Sequence, residues 1–231
     1  MDQDTSDNWR NRGALIVVEG LDRAGKSTQC ALLTEKLQNL NHKAKYIRFP
    51  DRTTSVGKII DSYLRGEAQL DDHAIHLLFS ANRWELASNI RNDISSGITV
   101  VIDRYSYSGA VYSAAKNNQS LSLDWAWCPE VGLPRPDIWF FLNISPEEAK
   151  KRGGYGLERY ENAALQQRVG ELFKSLETMQ NNEEMRVVDA GRPQDEVAQN
   201  ILSQALAAIN HLAGPLKNLE SRRFQQQITS E

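Results

Sequence analysis

Cysteine and metal-ligand patterns are scarce in this chain. The two cysteines, Cys30 and Cys128, are far apart in sequence, and neither lies beside a histidine at metal-ligand spacing. We therefore expect neither a disulfide framework nor a zinc site, and the low cysteine content suits a reducing compartment. The histidines show no ligand pattern either, so we expect surface or packing roles for His42, His73, His76 and His211.

Long apolar runs are also missing. No stretch approaches the roughly 18 consecutive apolar residues of a membrane helix. The first residues, MDQDTSDNWRNRG, are polar and mixed in charge, unlike a signal or transit peptide. We therefore predict no membrane partner, a flexible extension over residues 1–12 and a cytoplasmic location, with a nuclear pool left open.

A large excess of one charge is absent as well. The net charge is −3 and the isoelectric point is about 5.9, which gives no general attraction to nucleic acid. Phosphate binding must then be local, and we expect no nucleic-acid partner. With 231 residues, of which 40% are hydrophobic, the chain can bury a full core. We assign a single domain to residues 13–213 and a polar, loose tail to residues 214–231.

Apolar runs of strand length alternate along the chain with longer helical patterns. We predict strands at residues 14–18, 45–49, 99–102, 137–142 and 185–188. Helices are predicted at residues 26–40, 56–64, 72–95, 108–115, 160–179 and 193–212, with short ones near 124–125 and 146–151. Such alternation predicts an α/β fold in which helices flank a five-stranded parallel sheet with right-handed crossovers. Ligand residues then converge at the carboxyl ends of the strands.

One stretch, GLDRAGKST at residues 20–28, follows the first strand and begins the first helix. Its two glycines five apart, followed by lysine and serine, match the phosphate-binding loop of P-loop NTPases. Backbone N–H groups and the positive end of the helix form a phosphate site there. We predict that Lys26 reaches the β- and γ-phosphates, that Ser27 binds Mg²⁺, and that Arg23 stabilises the transition state. The predicted ATP contacts in this loop are Gly20, Arg23, Ala24, Gly25, Lys26, Ser27 and Thr28.

A second group of charged residues follows the neighbouring strands. Arg52 comes after the second strand, and Asp103 and Arg104 end the third. The two arginines are suited to bind a second phosphate, and Asp103 is placed to hold Mg²⁺. Two phosphate sites on one edge favour phosphoryl transfer, for which an ionised phosphate acceptor needs no general base. We predict as catalytic residues Arg23, Lys26, Asp103 and Arg104.

Basic residues surround three glycines in the segment KKRGGYGLER at residues 150–159. This composition is typical of a mobile lid over phosphates. The alternative is an exposed basic loop without a ligand.

Five short segments carry a family resemblance when they are taken in order. They are GLDRAGKSTQ at 20–29, RFPDR at 48–52, LLFSANRWE at 77–85, DRY at 103–105 with Ser108 and Gly109 after it, and GLERYEN at 156–162. Together they resemble thymidylate kinases of the eukaryotic type, over about residues 13–212. The resemblance implies transfer of the γ-phosphoryl group of ATP to dTMP, with Mg²⁺, in a homodimer.

The resemblance also implies roles for individual residues. Phe79 would stack on the thymine base, and Arg83 would hydrogen-bond the base edge. Arg152 would lie against adenine. Relatives of the bacterial type carry the transition-state arginine in the lid, whereas here Arg23 lies in the loop, so we assign that role to Arg23. The set implied for dTMP binding is Asp22, Arg52, Phe79, Arg83, Arg104, Tyr105, Gly109, Tyr160 and Gln166.

Three alternatives stay open from the sequence. Another nucleoside or nucleoside monophosphate kinase would share both phosphate sites. A nucleotide-dependent switch is disfavoured because the chain has no Asn-Lys-x-Asp element to read guanine, and an inactive scaffold is disfavoured because the charged loop residues are present. The N-terminal extension, the loop at residues 116–121 and the tail depart from the family pattern, and we expect none of them to touch the site.

Overall fold

One parallel sheet forms the centre of the molecule. A computed structural model describes residues 11–116, 118–152, 159–160, 162–177, 185–221 and 224. Five parallel strands lie in the order β2-β3-β1-β4-β5, which confirms the predicted α/β class. Their bounds are β1 Leu15–Gly20, β2 Ala44–Arg48, β3 Thr99–Asp103, β4 Ile138–Asn143 and β5 Met185–Asp189.

Helices cover both faces of this sheet. Their bounds are α1 Lys26–Asn39, α2 Ser55–Leu64, α3 Asp72–Ser95, α4 Ser106–Ala114, α5 Leu123–Trp127, α6 Pro146–Lys151, α7 Ala163–Glu177 and α8 Gln194–Asn210, with a 3₁₀ turn at Cys128–Glu130. Successive residues of β1 point to opposite faces, as strand geometry requires. Leu15 and Val17 join the core under α3, α4 and α7, whereas Ile16 and Val18 join the core under α1 and α8. The unbroken apolar run of β1 is therefore explained by burial on both sides.

The ends of three neighbouring strands lie at one level. Asp103 of β3 pairs in register with Val18 of β1 and with Arg48 of β2. The loop after β1, the turn after β2 and the residues after β3 consequently meet at one edge of the sheet, as predicted.

One predicted helix begins later than its sequence pattern indicates. Residues 160–179 were expected to be helical, but α7 begins at Ala163. The Asn162 side chain accepts a hydrogen bond from the Leu165 N–H at 2.9 Å, so Asn162 caps the helix. Residues 178–179 lie outside the described part of the chain.

Both ends of the described chain are packed on the body. Arg12, within the expected flexible extension, is only 9% exposed and binds the Asp137 carboxylate at 2.6 Å. The expected loose tail is corrected for residues 214–221 and for Phe224. Leu219 and Phe224 are buried, because both side chains join the core on the α3 and α4 side of the sheet.

Both cysteines lie within the described ranges. Cys30 is buried, Cys128 is exposed, and both are free. None of the helices in these ranges has the length and apolar character needed to cross a membrane.

Candidate active site

Backbone conformation shapes the loop at residues 20–28. Arg23 and Gly25 have φ angles of 67° and 90°, in the left-handed region that favours glycine at Gly25. A Cβ on Gly20 would lie 2.7 Å from the Leu142 carbonyl oxygen, so β4 approaches too closely for any side chain there. Gly25 caps α1 without a side chain, which leaves the first N–H groups of the helix available to an anion. Ala24 is buried beneath the loop, whereas Thr28 is exposed on the first turn of α1.

Lys26 is the buried cation of this loop. Its side chain is buried at 6% exposure, and its Nζ donates to the Leu21 carbonyl oxygen at 2.5 Å. Burial lowers the pKa of Lys26 to about 8, with a further contribution from Arg104, against the opposing effect of Asp22 and Asp103. A buried ammonium that is disfavoured in this way favours the approach of an anion.

Asp103 and Ser27 form the candidate metal site. The Ser27 hydroxyl donates to Asp103 Oδ2 at 2.5 Å, and the Tyr46 hydroxyl donates to the same oxygen at 3.1 Å. The other oxygen, Asp103 Oδ1, is buried and has no hydrogen-bond partner within the described residues. An unsatisfied carboxylate oxygen beside a hydroxyl is a donor set that suits a hard cation such as Mg²⁺.

Protein groups alone do not complete such a metal site. In the ranges that the structure describes, no three or more His, Cys, Asp or Glu side chains could hold a metal together. A cation on Ser27 and Asp103 would therefore take its remaining ligands from phosphate oxygens and water, as is usual for Mg²⁺.

Arg104 links the loop to the neighbouring strand end. It has a left-handed φ of 65°, and its guanidinium forms a salt bridge with Asp22. The same group donates to Ser108 Oγ at 3.2 Å. Burial alone would raise the pKa of Asp22, but Arg104 and Lys26 outweigh it and lower the pKa. Asp22 is therefore ionised, and it also accepts from Gln166 Nε2 at 2.6 Å.

Glu19 fixes the start of α4. Its contacts are those of a structural residue. Its carboxylate is fully buried and accepts from the Tyr105 N–H at 2.9 Å and the Ser108 N–H at 3.0 Å. Burial raises the pKa of Glu19. This anchor positions the face of α4 that carries Gly109 and Tyr112.

A cavity beside the loop collects most of the residues implied for dTMP. Phe79 and Arg83 lie one turn apart on α3 and both line it, which confirms that they share a helix face. The Phe79 and Tyr160 ring centroids are 6.5 Å apart. Gln166 contacts two lining residues, donating to Asp22 and to the Tyr160 carbonyl oxygen at 3.0 Å. The other predicted residues that line the cavity are Asp22, Arg104, Tyr105, Gly109 and Tyr160.

Arg52 lies apart from this cavity. Its guanidinium binds Asp61 of α2 at 2.7 Å, and it lines a neighbouring groove along β2. Within the described residues, Pro50 is the only one that lines both the cavity and this groove. A phosphate contact from Arg52 therefore stays a prediction.

Sequence reasoning missed Tyr112, and it also missed Glu130, which binds the lining residue Arg83. Tyr112 lines the cavity, and the Arg104 guanidinium lies 5.1 Å from its ring centroid. Its spacing from Tyr105 and Gly109 on one helix face was a usable signal. Glu130 binds Arg83 at 2.7 and 2.5 Å, but no local pattern marks this residue of a 3₁₀ turn.

The two arginines of the expected lid lie in different places. Arg152 donates to the Arg23 carbonyl oxygen at 3.2 Å and to the Ala190 carbonyl oxygen at 2.6 Å, so it lies against the loop. Arg159 donates instead to the Tyr63 carbonyl oxygen at 3.0 Å, at the end of α2. Residues 153–158, the glycine-rich part of the expected lid, lie outside the described residues.

His76, behind the cavity, is expected to make the stability of the fold sensitive to acid. It is fully buried, and its Nδ1 lies 2.7 Å from Ser113 Oγ. Burial lowers the pKa of His76 to about 4; Arg83 and Lys116 also lower it, and Glu130 raises it. In the unfolded chain His76 takes up a proton below about pH 6.5, whereas in the folded chain it stays neutral until about pH 4. The contribution of neutral His76 to the free energy of unfolding is therefore lost as the pH falls from 6.5 to 4.

We expect the free energy of unfolding to fall by about 2 kcal/mol more from pH 7.5 to 5 in the natural protein than in His76→Gln. Urea unfolding at both pH values measures this difference. His73→Gln, at a half-buried position of the same helix, is the matched control. Equal pH dependence in His76→Gln and the natural protein would contradict the assignment.

The loop at residues 20–28 and the cavity therefore open onto one edge of a parallel sheet, with Arg104 between them. A phosphate loop that faces a cavity lined by an aromatic ring and arginines is the arrangement of a P-loop nucleotide kinase.

Comparisons with known proteins identify the family. The model of the family described as thymidylate kinase matches residues 18–201. The thymidylate kinase of Schizosaccharomyces pombe is 49% identical over 84% of this chain and 91% of its own. The human thymidylate kinase is 47% identical over 82% of this chain and 88% of its own. A solved structure of thymidylate kinase from Candida albicans superimposes with a TM-score of 0.80 at 40% identity, covering 90% of this chain and 98% of that one. The chain belongs to the thymidylate kinase family.

Proposed function

We propose that the two sites bind ATP and dTMP side by side, with the ATP phosphates in the loop at residues 20–28 and dTMP in the cavity. The protein is an ATP:dTMP phosphotransferase. The position of Arg104 is the observation that supports this arrangement most directly. Its guanidinium pairs with Asp22 of the loop while it lines the cavity with Phe79. A donor phosphate and an acceptor phosphate would thus meet at one guanidinium.

The reaction needs charge stabilisation more than proton transfer. The bond between the γ-phosphorus and the β,γ-bridging oxygen breaks, and a bond forms to a phosphate oxygen of dTMP, giving ADP and dTDP. The second pKa of a phosphate monoester is near 6, so the acceptor oxygen is mostly ionised at pH 7. Lys26 would bind the β- and γ-phosphates, and Arg23 would neutralise charge that develops on the transferred group.

Ser27 and Asp103 would hold the metal ion that ATP chemistry requires. When bound, Mg²⁺ neutralises charge on the β- and γ-phosphate oxygens. The buried, unsatisfied Asp103 Oδ1 supports this assignment. Arg152, which lies against the loop backbone, would contact adenine.

The cavity would orient dTMP through stacking and hydrogen bonds. Phe79 would stack on the base, and Arg83 would donate to its edge. Asp22 would accept from the 3′-hydroxyl, because a carboxylate offers about four lone-pair sites and can accept beyond its bonds to Arg104 and Gln166. Tyr105 and Gly109 would line the sugar and base, Tyr160 and Gln166 would close the pocket, and Arg52 would join Arg104 at the phosphate.

A panel of acceptors tests this function. A coupled assay with ATP and Mg²⁺ should show dTMP as the best substrate among dTMP, dUMP, dCMP, AMP and thymidine. Preference for AMP would show that the base pocket is assigned wrongly, and thymidine as acceptor would indicate a nucleoside kinase. Tight GTP binding without turnover would favour a switch instead.

Replacing Phe79 with alanine should raise the KM for dTMP by about 10- to 100-fold, because base stacking on an aromatic ring contributes roughly 1–3 kcal/mol. The kcat and the KM for ATP should stay within a few-fold of the natural values. Phe79→Tyr keeps the ring and serves as the control, with a nearly natural KM. An unchanged KM for dTMP in Phe79→Ala, together with lower stability, would assign Phe79 to the core alone.

A homodimer is part of the proposal, and exposed apolar side chains support it. Ile59 of α2 is 46% exposed, and Leu77 and Trp84 of α3 are 47% and 42% exposed. Leu77 and Trp84 are two helical turns apart and therefore share a face. Exposed apolar patches of this kind mark contact surfaces. Light scattering should give twice the 26.1 kDa chain mass, and Trp84→Glu should reduce it.

We also place the enzyme in the cytoplasm. Cys30 and Cys128 are both free thiols, which suits a compartment that keeps cysteines reduced. Fractionation of cells with an antibody against the chain tests this location.

A further inference from the structure

Arg83 and Glu130 form a buried ion pair at the wall of the cavity. Arg83 Nε and Nη2 donate to the two Glu130 carboxylate oxygens at 2.7 and 2.5 Å. The Arg83 and Glu130 side chains are 3% and 0% exposed. Removing one partner of such a pair leaves an uncompensated buried charge, so the two residues constrain each other strongly.

On the cavity side, α4 restricts the position of the Arg83 guanidinium. A Cβ on Gly109 would lie 2.4 Å from Arg83 Nη2 and 3.0 Å from Arg83 Nη1. Gly109 itself lines the cavity, so these two nitrogens lie beside the cavity wall. A guanidinium has five N–H donors and no acceptor, and Glu130 uses two of the five. The remaining Arg83 N–H groups can form hydrogen bonds only with acceptor atoms.

The turn that carries Glu130 is fixed from behind by α3. The Pro129 carbonyl oxygen accepts from Ser80 Oγ at 3.0 Å and from Trp84 Nε1 at 2.8 Å. Two side chains of the helix that bears Arg83 therefore also hold the residue that precedes Glu130.

The chain beyond Gly214 fixes this turn from the other side. Leu219 pairs with two residues shortly after the turn, since the Gly132 N–H donates to the Leu219 carbonyl oxygen at 2.9 Å and the Leu219 N–H donates to the Leu133 carbonyl oxygen at 2.7 Å. Trp127, on the preceding side, donates from Nε1 to the Glu220 carbonyl oxygen at 2.9 Å. None of the described residues of the tail lines the cavity, so its support of the cavity wall is indirect. Lys116, at the start of the loop at residues 116–121, is likewise outside the lining, and its Nζ lies 5.4 Å from the Tyr160 ring centroid.

We propose that Glu130 is a specificity-determining positioning residue, which orients Arg83 so that the cavity accepts pyrimidine nucleotides with a carbonyl oxygen on the facing edge and rejects those with an amino group there. The inference rests on the proposed function of the cavity. Thymine and uracil present a carbonyl oxygen at C4, whereas cytosine presents an amino donor. In a buried site an Arg83 N–H group that faces the cytosine amino group leaves both donors without an acceptor. The free-energy cost of these unsatisfied donors discriminates strongly between substrates.

Substitution of Glu130 tests the proposal through the ratio of kcat/KM for dTMP to that for dCMP. Glu130→Gln keeps the shape but has one acceptor oxygen, and its amide N–H₂ opposes the second Arg83 donor. We expect the KM for dTMP to rise about 10- to 100-fold and the dTMP to dCMP ratio to fall at least about 10-fold. The kcat at saturating dTMP and the KM for ATP should change little. Glu130→Asp retains the carboxylate and should restore most of the ratio.

Gly109→Ala tests the same orientation from the opposite side and does not alter Glu130. Its added methyl group must displace Arg83, so the dTMP to dCMP ratio should fall in parallel. Gly170→Ala on α7 is the matched control, because a Cβ there would meet only Leu21, at 3.9 Å, and the ratio should stay natural. If Glu130→Gln does not fold, Gly109→Ala still tests whether the orientation of Arg83 sets the ratio, and an unchanged ratio overturns the proposal.

The outcomes separate this inference from the proposed function. Failure of the natural enzyme to phosphorylate dTMP would overturn the function. If the natural enzyme uses dTMP while Glu130→Gln or Gly109→Ala folds with an unchanged dTMP to dCMP ratio, Glu130 has only a structural role and the inference is wrong. A lower melting temperature alone does not support the proposal, since loss of any buried ion pair produces it.

Discussion

Replacing Lys26 with alanine is expected to lower kcat by about 1000-fold or more, because a loop cation stabilises charge that develops on the transferred phosphoryl group. Lys26 is the buried cation of the loop, at 6% exposure. Its ammonium is bound to the Leu21 carbonyl oxygen, which carries no full charge to compensate it. Steady-state rates at saturating ATP and dTMP measure the effect.

Lys26→Met separates loss of charge from loss of fold. Methionine keeps the apolar stem and removes only the ammonium, so the same loss of kcat is expected. The melting temperature without nucleotide should stay equal or rise, since burial lowers the pKa of Lys26 to about 8 and therefore disfavours its charged form. Lys36→Ala, in the last turn of the same helix, is the control and should keep full activity. Near-normal kcat in Lys26→Met would remove Lys26 from the chemistry.

Arg23→Ala is expected to lower kcat by about 1000-fold, the lower limit of the effects of arginine fingers, with a smaller change in the KM for ATP. Arg23 lies in the loop between Asp22 and Ala24, where its own carbonyl oxygen is bound by Arg152. Because the Arg23 φ is 67°, Arg23→Gly should relieve the backbone while losing the same activity. Single-turnover kinetics would show whether the chemical step is slowed.

The two arginines of the expected lid provide the controls for Arg23. Arg152→Ala should mainly raise the KM for ATP, because Arg152 lies against the loop and is assigned to adenine. Arg159→Ala should leave kcat nearly natural, since the Arg159 guanidinium is bound to carbonyl oxygens of Tyr63 and Ala68 at 3.0 and 3.1 Å. If Arg23→Ala retains its kcat while Arg152→Ala loses it, the transition-state arginine is Arg152.

Local patterns predicted much of the fold and part of the site. The loop at residues 20–28 was predictable because glycine conformations, a preceding apolar strand and a following helix are all consecutive in sequence. Asp103 and Ser27 were expected to share one cation because parallel strands end at one edge, and their side chains are in contact. Phe79 and Arg83 share a helix face for an equally local reason, the helical period.

Contacts between distant segments were not predictable in the same way. Glu130 was missed because its partner Arg83 lies 47 residues away and nothing in its short turn marks it. Arg52 was expected with Arg104, but a salt bridge to Asp61 places it beside a different groove. Asn162 shortened α7, since a capping hydrogen bond outweighs a periodic pattern that extends past it.

Consecutive residues were enough to predict the order of strands and helices, the phosphate loop and the sheet edge on which the loop and the cavity lie, because periodicity and glycine chemistry act over a few neighbouring residues. Only the packed fold shows which charges pair and what supports the cavity wall. Arg83 pairs with Glu130 and not with solvent, and Leu219 packs against the core where a loose tail was expected. Burial and charge compensation depend on groups brought together from remote parts of the chain, and no local pattern records them.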